Sequence, residues 1–482
     1  MGYVIGLDVG TTSVRSAVYN TESGELKMVK QKSTEQFYPN PGWVEEDAEE
    51  IFLAVSLCLE EAADKLDGKE VLALAVTNMR ETVVCWDSVT GKPLYNAIIW
   101  QCRRTKEYCE NLSDEEKRTI TDKTGLVVDA YFSASKIRWL LDNSEKVKAA
   151  KKKGRLMVGT VDAYLIYRLT GLKNFVTDVT NASRTMLYNI KTLSYDKELL
   201  DIFGIDEKIL PRVIDNDEIA GYTFINGKPV PIAGVVGDQQ AALYGQGCFQ
   251  KGSAKITYGT GLFMLFNTGE KIAKSESGLI SAIAYRTGKK TTYALEGSVF
   301  NAGTAVQWLR DKLGVITTAA ESEALAKSVP SSDGVCFVPA FTELGAPYWK
   351  SDSSGLITGI TRGSTKAHIV RAALESMAFS ARQLIEIMER ESGAKLEEIK
   401  ADGGASENGF LMQYQADQLG KEVVVPASSE ATVFGAIRLA LKTLGIAEAE
   451  DKKSFVLYKP GIRDDKAYEN YLSAVKRCVY DA

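Results

Sequence analysis

The stretch YVIGLDVGTTSVRSAVYN, residues 3–20, decides how the rest of the chain is read. Tyr3–Leu7 is a short apolar strand, Asp8–Ser13 a turn carrying a glycine and three hydroxyls, and Val14–Tyr19 an alternating strand. Leu26–Ser33 reads as a third strand after the turn at Glu22–Gly24. Ile51, Val55, Cys58, Leu59 and Ala62 then recur at helical spacing, with Asp47 as N-cap and Gly68 just past the end. Val71–Val76 is an unbroken apolar run, the pattern of a strand buried on both faces.

The same opening returns past the middle. Val230–Val236 is an apolar strand ending in GDQQ. Lys255–Tyr258 leads into a second glycine–threonine turn, Gly259–Gly261, and Leu262–Asn267 comes back as a strand. The two turns lie roughly 250 residues apart, far beyond a solenoid period. Two similar α/β domains are expected, residues 1–245 and 246–482. A long helix is predicted from Val370 to Met388 with Gly393 as its C-cap, followed by a strand at Ile399–Asp402. Asp451–Ala482, charged with scattered Tyr and Val, reads as a surface helix.

Composition narrows the function. In 482 residues, 58 basic side chains face 63 acidic ones, leaving −5 and no electrostatic footprint for nucleic acid. The first residues run straight into a strand, without a basic leader or cleavage site, and no apolar run approaches membrane length. Seven scattered cysteines fit free thiols in a reducing cytoplasm. His368 is the single histidine, so the base of any proton transfer is expected to be a carboxylate.

Several segments carry candidate chemistry, each with a plainer alternative. Asp8–Ser13 could cradle phosphate with backbone N–H groups and hydroxyls, with Asp8 organising Mg²⁺, or could be an ordinary hairpin turn. Gly259-Thr260-Gly261 is weak alone and gains meaning as its partner. Asp402–Asn408 (DGGASEN) would let a flat ring approach the backbone, or simply join strand to helix with Ser406 as cap. Asp238 follows a buried strand, where α/β proteins place ligands, and is the candidate general base; it could instead cap the next helix. Arg80-Glu81 could bind vicinal hydroxyls or form a surface ion pair. Trp100 and Tyr131 could wall a polyol pocket or belong to the core.

Taken together, these motifs, along with YPNPGWVEED, TNMRETVVCW, TGLVVDAYFSASKIRWLLDN, GTVDAYLIYRLTG, TNASRTMLYNI and VPAFTELGAPYW, resemble the FGGY carbohydrate kinases, closest to their glycerol-phosphorylating branch. Two signature patterns of that family can be read at Tyr131–Asn143 and Gly355–Glu375. The resemblance implies two actin-like ATPase (ribonuclease H-like) domains with an interdomain cleft, and ATP-dependent phosphorylation of a small polyol. It implies that Arg80, Glu81, Tyr131, Asp238 and Gln239 bind the polyol, with Trp100 and Phe263 against its carbons and Asp238 as base. It further implies Asp8 at Mg²⁺, Thr11, Thr12, Ser13, Arg15 and Thr260 at the ATP phosphates, and Gly303, Gln307, Gly404 and Asn408 around adenosine. Family members are commonly homo-dimers or tetramers. Val9 stands where the glycerol branch usually carries Gln. The segment 225–229 is shorter than the fructose 1,6-bisphosphate loop of some relatives, so neither that control nor histidine phosphorylation is expected. Rival readings are a kinase for erythritol, xylulose or ribulose, and a chaperone-type ATPase with no sugar requirement.

Overall fold

A computed structural model describes residues 2–341, 344–350, 353–426, 430–449 and 455–480. Thr342 and Glu343 of the VPAFTELGAPYW stretch, and residues 451–454 and 481–482 of the C-terminal stretch, lie outside the described residues. The chain divides into two compact units, one of Met1–Gly247, Ser281–Tyr293 and Glu430–Lys452, the other of Cys248–Ile280, Ala294–Ser429 and Lys453–Ala482.

The first unit is built on a six-stranded sheet in the order Ile219–Ile225, Lys228–Gly237, Glu70–Asn78, Gly2–Val9, Ser13–Asn20, Leu26–Ser33. Its central three strands run parallel and its outer connections are hairpins. All of Gly2–Val9 is buried, as its apolar run demands. Helix Ala48–Lys65 packs its apolar stripe (Ile51, Val55, Cys58, Leu59, Ala62) into this core. Its cap is Asp47, whose side chain accepts from Glu49 N–H at 2.8 Å.

One element of this unit comes from late in the chain. Helix Ala431–Thr443 packs on the central strands and on helix Asp238–Gly245. Glycine makes the approach possible: a Cβ on Gly435 would lie 1.8 Å from the Ala241 carbonyl oxygen, and one on Gly245 1.9 Å from that of Ala431. No other residue fits either place without separating the helices.

The second unit repeats the motif. Ser253–Tyr258 pairs antiparallel with Leu262–Gly269 and parallel with Glu398–Asp402, which runs parallel to Val423–Pro426. The 27-residue helix Lys366–Ser392 is the spine of its core and ends at Gly393 in the left-handed conformation, as the spacing predicts. The C-terminal stretch departs from the expected surface helix. Phe455–Tyr458 is a strand added antiparallel to Val423–Pro426, and helix Asp465–Tyr480 buries Tyr468, Tyr471, Ala474 and Val475. Its charged residues mask an apolar face set at helical spacing.

Candidate functional site

In the first unit, strands Glu70–Asn78 and Lys228–Gly237 are parallel neighbours that end in register, Gly237 beside Asn78. The segments leaving their carboxyl ends therefore emerge side by side, Arg80-Glu81 from one and Asp238 from the other. Arg80 Nε lies 3.4 Å from Asp238 Oδ1 and 3.7 Å from Glu81 Oε1, and its Nη1 donates to Gln240 Oε1 at 3.1 Å. A Cβ on Gly237 would stand 2.8 Å from Arg80 Cγ, so the glycine gives the guanidinium its room. The Arg80 and Glu81 side chains are closed to solvent, at 2% and 1% exposure, whereas that of Asp238 keeps 28%. Arg80-Glu81 is thus no surface ion pair. Two buried charges in this setting need partners.

Glu81 has them. The fully buried Arg184 donates through Nε to Glu81 Oε1 at 2.5 Å. The Glu81 carbonyl accepts from Ser133 Oγ at 3.1 Å and Lys136 Nζ at 3.4 Å. Burial lowers the Lys136 ammonium to about 8. Glu81 holds a φ of 61°, a conformation a β-carbon disfavours, and this turn aims its carboxylate back beside Arg80. Arg184 also lies over the rings of Tyr131 and Phe132, at 5.6 and 5.1 Å. Tyr131 meets Trp100 edge-on at 5.6 Å. The Tyr131 N–H is fixed by Asp129, which Arg103 grips through two hydrogen bonds. Asp238 is the first residue of its helix, and its Oδ1 accepts from Gln239 N–H at 2.6 Å; Gly237 is the N-cap.

The first glycine turn sits at the end of strand Gly2–Val9. Gly10 N–H bonds Ser13 O at 3.0 Å, and Thr12 is exposed at the tip. Trp100 Nε1 donates to Thr11 Oγ1 at 3.0 Å, which ties the turn to the aromatic wall. Gln36 Nε2 bonds both Thr11 O and Glu46 Oε1. Asp8 is buried against Arg15, Oδ2 to Nη2 2.5 Å, and Arg15 also reaches Glu430 at 3.5 Å. Burial pushes the Asp8 carboxyl up against the pull of Arg15. Among the described residues no group of three metal-type side chains gathers. A single carboxylate suits Mg²⁺ that brings its own waters and phosphates, so Asp8 fits that ion by donor type.

In the second unit, a cavity of about 510 Å³ is lined by Thr260, Gly303, Gln307, Gly404 and Asn408, together with Ala320. The five expected nucleotide residues of that half thus line one cavity, of the size small-molecule sites have. Its walls are stitched through backbone. Gly303 N–H bonds Gly259 O at 3.1 Å, and the Thr260 carbonyl accepts from Ala302 at 3.0 Å and Thr304 at 3.2 Å. Gly403, at φ 86°, lies so close to the Tyr258 carbonyl that a Cβ would come within 2.4 Å. The cap expected at Ser406 is instead Asn408, whose side chain accepts from Leu411 N–H at 3.0 Å; Ser406 closes a 3₁₀ turn onto Gly403 O. Asn408 Nδ2 also holds Ser322 Oγ at 3.2 Å. Phe263 is half-buried in this unit. His368 caps the long helix, its Nδ1 accepting from Thr365 N–H at 3.0 Å.

A strand–turn–strand motif with a glycine–threonine turn thus occurs once in each unit. Sequence models of the FGGY family of carbohydrate kinases match its N-terminal domain at residues 3–245 and its C-terminal domain at 254–444. The chain belongs to that family. It is 51% identical over 99% of both chains to glycerol kinase 2 of Thermotoga maritima, and 48% identical at the same coverage to the glycerol kinase of Fusobacterium nucleatum. The crystal structure of Plasmodium falciparum glycerol kinase with ADP superposes with a TM-score of 0.91 at 35% identity, covering 99% of this chain and 98% of that one.

Sequence reasoning missed Arg184, which lies in TNASRTM about a hundred residues from the Glu81 it holds. It also missed Gln240 and a buried polar cluster around Asp178. Only tertiary contact reveals these.

Proposed function

We propose that this chain transfers the γ-phosphoryl group of ATP to a terminal hydroxyl of glycerol, giving glycerol 3-phosphate. The observation that carries the reading is the convergence of Arg80, Glu81 and Asp238 at two adjacent strand ends. The full-length similarity to glycerol kinases supports it. Arg80 N–H groups and the Glu81 carboxylate would take up vicinal hydroxyls, with Tyr131 and Gln239 adding further bonds. Trp100 and Phe263 would shield the carbon chain. Asp238, the most open of the three charges, would accept the proton of the attacking hydroxyl.

Mg²⁺ arriving with ATP would supply neutralisation of the phosphate charge. Asp8 would receive it, with Thr11, Thr12, Ser13 and Thr260 donating to phosphate oxygens and Arg15 close by through its bond to Asp8. The 510 Å³ cavity would seat adenosine, Gly303 and Gly404 opening its walls and Gln307 and Asn408 supplying polar contacts. Phosphoryl transfer demands little covalent work from protein, so positioning and charge do most of it. A cytoplasmic site of action and assembly as a dimer or tetramer belong to the same proposal. Among the described residues no helix is long and apolar enough to cross a membrane.

The test is ADP release measured on glycerol, erythritol, xylulose and ribulose, and without polyol. Glycerol is expected to give the highest kcat/KM. Preference for a ketopentose would move the chain to another substrate within its family. Hydrolysis indifferent to every polyol would overturn the kinase reading.

A further inference from the structure

Behind the strand ends that carry Arg80 and Asp238 lies a cluster of polar side chains with no access to water. Asp178, Thr180, Asn181, Asn216 and Asn78 are each 0% exposed. Asp178 is its centre. Its Oδ1 accepts from Thr180 N–H at 2.7 Å, from the Thr180 hydroxyl, and from Asn216 Nδ2 at 2.9 Å, while Oδ2 accepts from Asn181 Nδ2 at 2.6 Å. These four donors favour the charged carboxylate against the burial that pushes its pKa up.

Two chains of hydrogen bonds leave it. With its proton directed at Asp178, the Thr180 hydroxyl has only lone pairs left, and its oxygen accepts from Gly237 N–H at 2.8 Å. Gly237 immediately precedes Asp238 and caps its helix. Asn216 Nδ2 reinforces this branch by donating also to Val235 O at 2.8 Å. In the second branch Asn181 and Asn78 exchange paired amide bonds, at 3.1 and 3.0 Å, and Asn78 Nδ2 donates to Met79 O at 2.8 Å. Met79 immediately precedes Arg80. One carboxylate thus reaches the residue before the candidate base and the residue before the candidate polyol-binding arginine. Neither chain of bonds serves as an ordinary sheet ladder or helix bond.

We propose that Asp178 is a positioning residue that sets the spacing of Asp238 against Arg80, acting through the Thr180 hydroxyl on one side and the Asn181–Asn78 amide pair on the other. This rests on the polyol-kinase reading above. The cluster belongs to the first unit and the cavity's described lining to the second, so its effect is expected on the polyol side. Asp162 stands next to it, holding the Thr160 and Thr177 hydroxyls at 2.5 and 2.6 Å, and anchors the start of the same segment.

The experiment compares Thr180→Val, which keeps shape and removes the hydroxyl, with Thr180→Ser, which keeps the hydroxyl. Steady-state constants are measured for glycerol and for ATP, alongside melting temperature. Thr180→Val is expected to lower kcat/KM for glycerol about ten- to a hundredfold, the usual effect of stranding a buried donor, with KM for ATP unchanged. Thr180→Ser should restore the wild-type constants. If Thr180→Val does not fold, Thr180→Ala removes the same hydroxyl without pressing a methyl against Asp178 and Gly237 N–H. A variant lacking the hydroxyl that matches wild type, a serine variant as impaired as the valine, or an equal change in KM for ATP would each overturn the proposal. Wild-type protein inert toward polyols would instead overturn the kinase reading, and the proposal with it.

Discussion

Replacing Asp238 by Asn tests the chemistry most directly. The amide has the carboxylate's shape, and its oxygen can still accept from Gln239 N–H, where Asp238 Oδ1 now sits at 2.6 Å. The side chain is 28% exposed, so the change buries no new polar group. What disappears is the site that takes the hydroxyl's proton, together with one negative charge 3.4 Å from Arg80 Nε. Loss of a general base lowers turnover by about 10²–10⁴, or about 3–5 kcal/mol of barrier. The cavity proposed for adenosine draws its described lining from the second unit, so ATP affinity should stay close to that of wild type. Coupled ADP release at saturating glycerol gives kcat, and titration calorimetry with a non-hydrolysable ATP analogue gives nucleotide affinity. Turnover equal to wild type would remove Asp238 from proton transfer.

Three other outcomes follow from particular contacts. Arg80→Lys keeps the charge and loses the fork that spans Gln240, Glu81 and Asp238; KM for glycerol should rise about tenfold or more while that for ATP does not, and an effect on ATP alone would place Arg80 elsewhere. Gly404→Leu adds a side chain where nothing lies within 4 Å of a Cβ, so the protein should fold and melt as wild type while its ATP KM rises about tenfold or more; an unchanged KM would empty the cavity of its assigned role. Burial raises the Glu46 carboxyl from 4.5 to about 7, and its Oε2 has no hydrogen-bond partner among the described residues. The native chain then holds a proton the unfolded chain has lost between these values, so stability falls as pH climbs through that window. Glu46→Gln should therefore melt progressively above wild type from about pH 5 to about pH 8, by up to about 3 kcal/mol, and a gap independent of pH would refute the assignment.

How much of this was legible in the chain depends on how far each signal reaches. Strands such as Gly2–Val9 and Lys228–Gly237 announce themselves because burial on both faces leaves an unbroken apolar run. Asp47 and Gly393 are visible because a cap acts on residues a few positions away. Sequence spacing puts the cap of the helix Gly409–Leu419 two residues early, at Ser406, because a 3₁₀ turn over Gly404–Glu407 intervenes before Asn408 caps the helix. The strand Phe455–Tyr458 borrows its pairing from Val423–Pro426, about thirty residues earlier, and has no local mark to set it apart from a charged tail. Arg184 and Asp178 were invisible for a stronger reason. Each owes its meaning to groups brought near only by folding: TNASRTMLYNI counts toward the family resemblance, yet nothing in it shows which partners these side chains meet.

The glycine-to-carbonyl contact between helices Asp238–Gly245 and Ala431–Thr443 bears on the order of events during synthesis. A nascent chain that has left the ribosome as far as residue 247 holds Arg80, Glu81, Arg184 and Asp238, yet lacks the surface against which the helix of Asp238 closes. That surface arrives only after nearly all of the second unit has been made. A stop codon between residues 248 and 430 should consequently release a product with all its named first-unit site residues intact and the helix Asp238–Gly245 without a seat.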